Sequence, residues 1–180
     1  MIYRLIKVEV ISLSLEIIVE FLDHYNLPWV ILAVLSWLSI YFSCSFHCFL
    51  QALPVGIWIM AVGTVLEQFF IYHRFWEDHF IMVPIGESDL FLIIGPFFSI
   101  GILLIRFLPK NRWGQFFTVL ILSGLAAGIE LIAVKLGFLT YNSAKWGFLN
   151  SFIAYYLGLM SALGFYYVYY SKNISFRNHR

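Results

Sequence analysis

FFTVLILSGLAAGIELIAVKLGFLTYNSAKW, residues 116–146, is the stretch that decides the fold. It begins with an apolar run long enough to cross a bilayer, which takes about 20 residues, and this run contains one carboxylate, Glu130. A short loop with Tyr141 and Trp146 follows. A charge inside an apolar span is costly unless it faces the interior of a bundle or a wet cavity. The stretch therefore predicts a transmembrane helix with an inward-facing glutamate.

The composition of the whole chain agrees with a lipid environment. Of its 180 residues, 62% are hydrophobic and only 12% are charged, whereas soluble domains have about 45–50% apolar and about 25% charged residues. A net charge of +1 without a basic stripe gives no support to nucleic-acid binding. We expect an all-α fold, a polytopic transmembrane helical bundle that forms a single domain over residues 1–180.

Five segments are apolar over nearly the length of a bilayer and are predicted to span it. They are residues 27–46, 55–72, 90–107, 116–136 and 148–170. Most prolines fall near the segment ends, where helices tolerate them, but Pro96 lies inside the third segment and predicts a kink. Residues 171–180 are predicted to form a basic cytoplasmic tail.

Residues 1–26 are predicted to form an amphipathic N-terminal helix. Glu9, Glu16 and Glu20 recur at spacings of seven and four, which places them on one polar face. Such a helix either lies in the membrane interface or spans the membrane with its polar face turned inward. We expect that it spans and makes a sixth helix.

The distribution of basic residues predicts the orientation in the membrane. Counted with five helices, one side receives six basic residues and the other only Arg74, Lys135 and Lys145; the six are Arg106, Lys110, Arg112, Lys172, Arg177 and Arg180. If the N-terminal helix also spans, Arg4 and Lys7 join the six. Because cytoplasmic loops are enriched in lysine and arginine, the C-terminus is expected on the cytoplasmic side of a cell membrane. Most carboxylates fall towards the outer side, which is also typical of ordinary solvated loops.

Glu67 and Glu130 are the strongest candidates for a site. Each lies five or six residues before the end of its helix, and the two helices run in the same direction. The carboxylates are therefore expected at similar depth, as a proton- or cation-binding pair. The alternative is that each one only fixes helix packing through a hydrogen bond, or through pairing with Lys135 or Arg74. The helix ends and loops that follow add further ligand- or ion-binding candidates: His73, Arg74, Lys135, Tyr141 and Trp146.

Catalytic and metal-binding motifs are not evident in the sequence. We find no GxSxG, HExxH or P-loop pattern. Cys44 and Cys48, four residues apart in an apolar run, are expected to be two buried thiols on one helical face. With His47 they have ligand-like spacing, but a neutral histidine is the preferred interpretation. We therefore predict no metal and no cofactor, and lean against an enzyme.

Small residues recur at four-residue spacing on two of the predicted helices. They predict close helix packing inside the bundle, or contact with a membrane-protein partner or a second copy; the residues are Gly124, Gly128, Ala154, Gly158 and Ala162. The predicted environment is the lipid bilayer.

Two longer patterns carry a resemblance to a known family. They are GIELIAVKLGFLTYNSAKWGFLNSF, and LEQFFIYHRFW followed by LFLIIGPFFSIGILLIRFLPKN. Over residues 55–170 the chain resembles an uncharacterised family of small multipass membrane proteins, of about 150–180 residues, from spore-forming Gram-positive bacteria. The resemblance implies a bacterial membrane location and no known activity.

Three functions remain open on this basis. The first is a non-catalytic accessory or sensing component of the membrane. The second is a small proton- or cation-linked transporter or channel that uses Glu67 and Glu130. The third is a membrane-embedded enzyme acting on lipid. A cavity shared by both glutamates would favour transport, whereas glutamates bonded to neighbours with no cavity between them would favour a packing role.

Overall fold

The structure, a computed structural model, describes residues 26–177 of the chain, with side chains to residue 170. The predicted N-terminal helix, residues 1–26, therefore lies outside the described residues except for Asn26. The predicted all-α class is confirmed, since most of the described residues are helical.

Five helices make up the described bundle. They are α1 (Pro28–Ser43), α2 (Phe46–Tyr72), α3 (Leu90–Arg106), α4 (Arg112–Lys135) and α5 (Phe148–Arg177). By length and apolar composition α2, α4 and the Phe148–Tyr170 part of α5 can cross a membrane, whereas α1 and α3 are shorter apolar helices. Four short strands lie between the helices: β1 (Trp76–Asp78), β2 (Pro84–Ile85), β3 (Ser88–Asp89) and β4 (Leu139–Tyr141).

The start of the second helix differs from the prediction. It begins at Phe46 and contains Pro54, rather than starting after this proline. A proline inside a helix removes a single backbone bond, and apolar helices of membrane proteins tolerate that loss. The Ser45 hydroxyl caps the new start by accepting a hydrogen bond from the Cys48 backbone N–H at 3.4 Å.

Cys44 and Cys48 are joined in a disulfide, so the prediction of two free thiols is wrong. The prediction assumed one continuous helix, but the backbone of Cys44 is extended (φ −123°, ψ 127°), and α1 ends at Ser43. The chain reverses there, and the sulfurs meet across the break. We call this the disulfide end of the bundle.

The third helix is interrupted where the kink was predicted. Residues Ile93–Phe97 form a π-helical turn around Pro96. The wider turn follows from the missing proline N–H and from the steric conflict of its ring with the preceding turn. Gly95, inside this turn, lies against α1, and a Cβ at its position would be 2.5 Å from the Cα of Ala33.

Helix α3 lies at the centre, with α1 and α2 packed against it and α5 packed against both α2 and α4. Helices α2 and α3 approach each other closely at two glycines, because a Cβ on Gly101 would lie 2.8 Å from the Cα of Gly56. These small residues therefore allow α2 and α3 to pack closely against each other. By contrast, a Cβ on Gly128 or Gly158 would meet nothing within 4 Å.

Strands β1 and β4 pair in antiparallel fashion, a feature that the sequence did not predict. β1 follows α2 and β4 follows α4, so the pairing holds the C-terminal ends of these helices together. We call this the sheet end. Trp29 of α1 is fastened to the same end, because its indole N–H donates to the carbonyl of His79 at 3.0 Å.

A second small hairpin, β2–β3, leads into α3. Asp89 caps this helix by accepting a hydrogen bond from the Phe91 N–H at 2.7 Å. Gln68 of α2 holds the hairpin by donating to the Ile85 carbonyl at 2.8 Å and accepting from the Glu87 N–H at 3.2 Å.

The last helix extends further than predicted. Its backbone is helical to Arg177, so the predicted tail at residues 171–180 begins as a continuation of α5. Repeated aromatic side chains and the absence of proline or glycine after Gly164 allow the helix to continue.

Candidate functional site

The β1–β4 pairing determines which loop side chains point into the bundle. Trp76 is opposite Tyr141, Glu77 is opposite Thr140, and Asp78 is opposite Leu139. Side chains alternate along a strand, and here Glu77 and Thr140 are exposed while their neighbours turn inward. The sheet therefore directs the Asp78 carboxyl and the Tyr141 hydroxyl towards the glutamates of α2 and α4.

Glu67 is buried near the end of α2, with 9% of its surface exposed. The Trp76 indole donates a hydrogen bond to its Oε1 at 3.1 Å. Its second neighbour is the carboxyl group of Asp78, which lies within hydrogen-bonding reach. Glu67 is thus bonded to the strand that follows its own helix, and not to Arg74.

The Asp78 carboxyl is the least satisfied polar group of the site. Within the described part of the chain, neither of its oxygens accepts a hydrogen bond from an N–H or hydroxyl group, although both are shielded from solvent. Two neighbouring carboxyls can hydrogen-bond only when one of them is protonated. Burial, followed by the charge of Glu130, raises the pKa of Asp78 from 3.8 to about 7. Asp78 and Glu67 are therefore placed to share a proton near neutral pH.

Glu130 has a different set of partners, all from the chain that follows it. Its Oε1 accepts hydrogen bonds from the Tyr141 hydroxyl and from the Ser151 hydroxyl, the latter at 2.6 Å. The Trp146 indole in turn donates to Ser151 at 2.8 Å. The Tyr155 hydroxyl also lies beside the Glu130 carboxyl. Burial and the charge of Glu130 raise the pKa of Tyr141, so this phenol remains protonated as a donor.

Two cavities meet at the carboxyl groups. The smaller one, of about 70 Å³, lies between α2, α3 and α5, and has room for a few water molecules. The larger one, of about 530 Å³, lies between α1, α3 and α4. Glu67, Glu130, Trp76 and Tyr155 line both cavities, whereas Asp78 lines the larger one. The two glutamates therefore face shared space.

The predicted site residues separate into two groups. Glu67, Glu130, Tyr141 and Trp146 come together around the cavities. His73, Arg74 and Lys135 do not: all three are exposed at the sheet end. The carbonyl groups of His73 and Arg74 accept hydrogen bonds from Lys145 at 3.3 Å and from Asn142 at 3.2 Å, so these residues help to fasten the two loops.

Asp78, Ser151 and Tyr155 are site residues that the sequence did not single out. Asp78 is one of several charged residues in the loop after α2, and only the strand register distinguishes it from exposed Glu77. Ser151 and Tyr155 are four apart, on the face of α5 that meets Glu130. This spacing places two hydroxyls on one helical face, and it is the sequence signal that points to them.

The three carboxyl groups are not gathered as ligands of a single metal ion; no group of three or more candidate metal ligands occurs in the described residues. At the disulfide end the His47 ring is hydrogen-bonded to Gln51 at 2.9 Å, and the sulfurs of Cys44 and Cys48 are bonded to each other. Chemically, the carboxyl cluster is suited to exchanging protons and to balancing a positive charge. None of the described residues that line either cavity is basic.

No protein-family model, no curated protein and no solved structure matches the chain.

The raised pKa of Asp78 predicts a pH-dependent stability. Its carboxyl favours the folded state when protonated, so this contribution is complete below about pH 4 and is lost as the pH rises through about 7. Thermal unfolding in detergent at a series of pH values should show the loss, which is worth up to about 4 kcal/mol. Asp78→Asn should remove it and be more stable than the wild type at alkaline pH.

Glu77→Gln is the matched control, because Glu77 is the exposed neighbour of Asp78 on the same strand. It should follow the wild-type profile. An Asp78→Asn protein with the wild-type pH dependence would contradict the assignment of this carboxyl.

Proposed function

We propose that the chain is a multi-pass membrane protein that links a proton or a cation to its function through Glu67, Asp78 and Glu130, as a small transporter or channel. The supporting observation is that the two glutamates, from different helices, line the same cavities. A role confined to helix packing would not require a cavity of about 530 Å³ beside the carboxyl groups.

The membrane location is supported by the outer surface of the helices. Large apolar side chains are exposed along them, among them Phe42 (80%), Val65 (69%) and Leu157 (61%). Such continuous apolar exposure would be unstable in water but suits hydrocarbon. The two shorter helices, α1 and α3, are proposed to span together with the three long ones, and the N-terminal segment to add a sixth span.

The proposed orientation places the disulfide end in the cytoplasm. Arg106, Lys110 and Arg112 connect α3 and α4 at that end, and the C-terminus leaves from the same end. The sheet end, with the nearby carboxyl cluster, then faces outward. The resemblance over residues 55–170 supports a bacterial cell membrane as the location.

A non-catalytic sensing or accessory role remains the alternative, because a protein can bind a proton or cation at this cluster without moving it across the membrane. The small residues Gly124 and Gly128 on α4 are proposed as a contact for a second copy or a partner, since neither is tightly packed in the described bundle. Ala162 is fully buried and belongs to the internal core.

The orientation can be tested with the two cysteines. The structure joins Cys44 and Cys48 in a disulfide. Because the cytosol is reducing, the proposed topology predicts that this disulfide is reduced to two thiols in the cell. A membrane-permeant maleimide should modify them in intact cells, and an impermeant one should not. As a control, Glu77→Cys in a Cys44→Ser/Cys48→Ser background should react with the impermeant reagent. A disulfide that resists both reagents until an external reductant is added would reverse the proposed orientation.

The transport function can be tested in proteoliposomes that contain a pH-sensitive dye. With an imposed potassium diffusion potential, the wild type should carry protons inward, and Glu67→Gln and Glu130→Gln should each reduce the rate about tenfold or more, because a neutral amide exchanges no proton. Glu77→Gln should retain the wild-type rate. Equal rates in all variants, or no flux above protein-free vesicles, would contradict the proposal.

A further inference from the structure

The larger cavity contains more unsatisfied polar surface than the proton function requires. Ser99 of α3 is only 2% exposed and lines this cavity, and its hydroxyl has no hydrogen-bond partner in the described structure. Both oxygens of Asp78, on the same cavity, accept no hydrogen bond from an N–H or hydroxyl group in the described residues, and their one polar neighbour is the Glu67 carboxyl. Buried polar atoms in proteins normally have partners, so these atoms indicate a ligand with polar groups of its own.

The acidic side chains of the cavity favour a ligand that is a cation. Glu67, Asp78 and Glu130 all line it, and its described lining contains no basic side chain to balance them. The aromatic rings of Trp29, Trp76 and Tyr155 also face it. The two indole N–H groups donate to His79 and Glu67, and aromatic rings in a cavity lining can attract a cation.

The rest of the cavity lining favours a ligand whose remaining part is apolar. Apolar side chains form most of its walls, and leucine and isoleucine of α1, α3 and α4 are the commonest among them. Its volume of about 530 Å³ falls within the range of about 300–1,000 Å³ that is usual for small organic ligands. A hydrated inorganic cation would leave these apolar walls without a partner.

Within the described residues the cavity is open between α1 and α4, since three of its lining residues are about half exposed: Leu35 (55%), Leu125 (59%) and Ile129 (47%). In a membrane this opening faces the acyl chains, from which an apolar molecule can enter directly.

We infer that the larger cavity binds a lipophilic organic ammonium ion, with its apolar body between α1, α3 and α4 and its N–H groups on the carboxyls of Asp78, Glu67 and Glu130. This inference rests on the proposed function, since it names the cation that the carboxyl cluster takes. A second polar group on the ligand would pair with the Ser99 hydroxyl.

The test uses the full chain in lipid nanodiscs, with empty nanodiscs as background, and 1-adamantylammonium as the probe. The probe should bind saturably. The matched neutral alcohol, 1-adamantanol, should compete at least about tenfold more weakly, because it lacks the charge. Sodium and potassium chloride at matched ionic strength should not displace the probe.

Two pairs of variants locate the site. Asp78→Asn should weaken probe binding about tenfold or more, and Glu77→Gln should leave it unchanged. Ala126→Trp places a large ring into the cavity and should abolish binding, whereas Ile132→Trp, on the exposed lipid-facing side of α4 and outside the cavity, should not. Folding of each variant is checked by its thermal unfolding transition.

The outcomes separate the inference from the proposed function. Equal competition by the alcohol, or unchanged binding in Asp78→Asn or Ala126→Trp, would overturn the inference. No ammonium binding together with glutamate-dependent proton flux would overturn the inference and leave the proposed function intact. No binding and no flux would overturn both.

Discussion

The antiparallel pairing of β1 with β4 is the constraint on which the site depends. It is only three residues long on each strand, yet it joins the chain after α2 to the chain after α4. Through it Asp78 reaches Glu67 and Tyr141 reaches Glu130. Helices α2 and α4 each pack against α5, and the pairing adds a direct link between the ends of these two helices.

The site shows an asymmetry between its two glutamates. Glu130 accepts hydrogen bonds from the hydroxyl groups of Tyr141 and Ser151. Glu67 has one indole donor and a neighbouring carboxyl in Asp78, an arrangement that favours a shared proton. The two glutamates therefore differ in their partners: Glu130 is held by hydroxyl groups, whereas Glu67 faces a second carboxyl group.

The sequence predicted the parts of this site that follow from helix periodicity and length. Glu67 and Glu130 are similarly placed near the ends of helices that run in the same direction, and Tyr141 and Trp146 follow Glu130 closely. Strands of three residues show too little alternation to be recognised, so the role of Asp78 was missed. The break at Cys44 was also missed, because neither proline nor glycine marks it, and the disulfide was missed with it.

Cross-linking of the two strands tests the central claim most directly. Glu77 and Thr140 are exposed and opposite each other in the β1–β4 register. In a Cys44→Ser/Cys48→Ser background, the pair Glu77→Cys and Thr140→Cys should form a disulfide on mild oxidation, because opposed strand residues lie within disulfide range. Glu77→Cys paired with Lys135→Cys is the control and should not cross-link. Failure of the first pair to cross-link, in a protein that still unfolds cooperatively, would contradict the account.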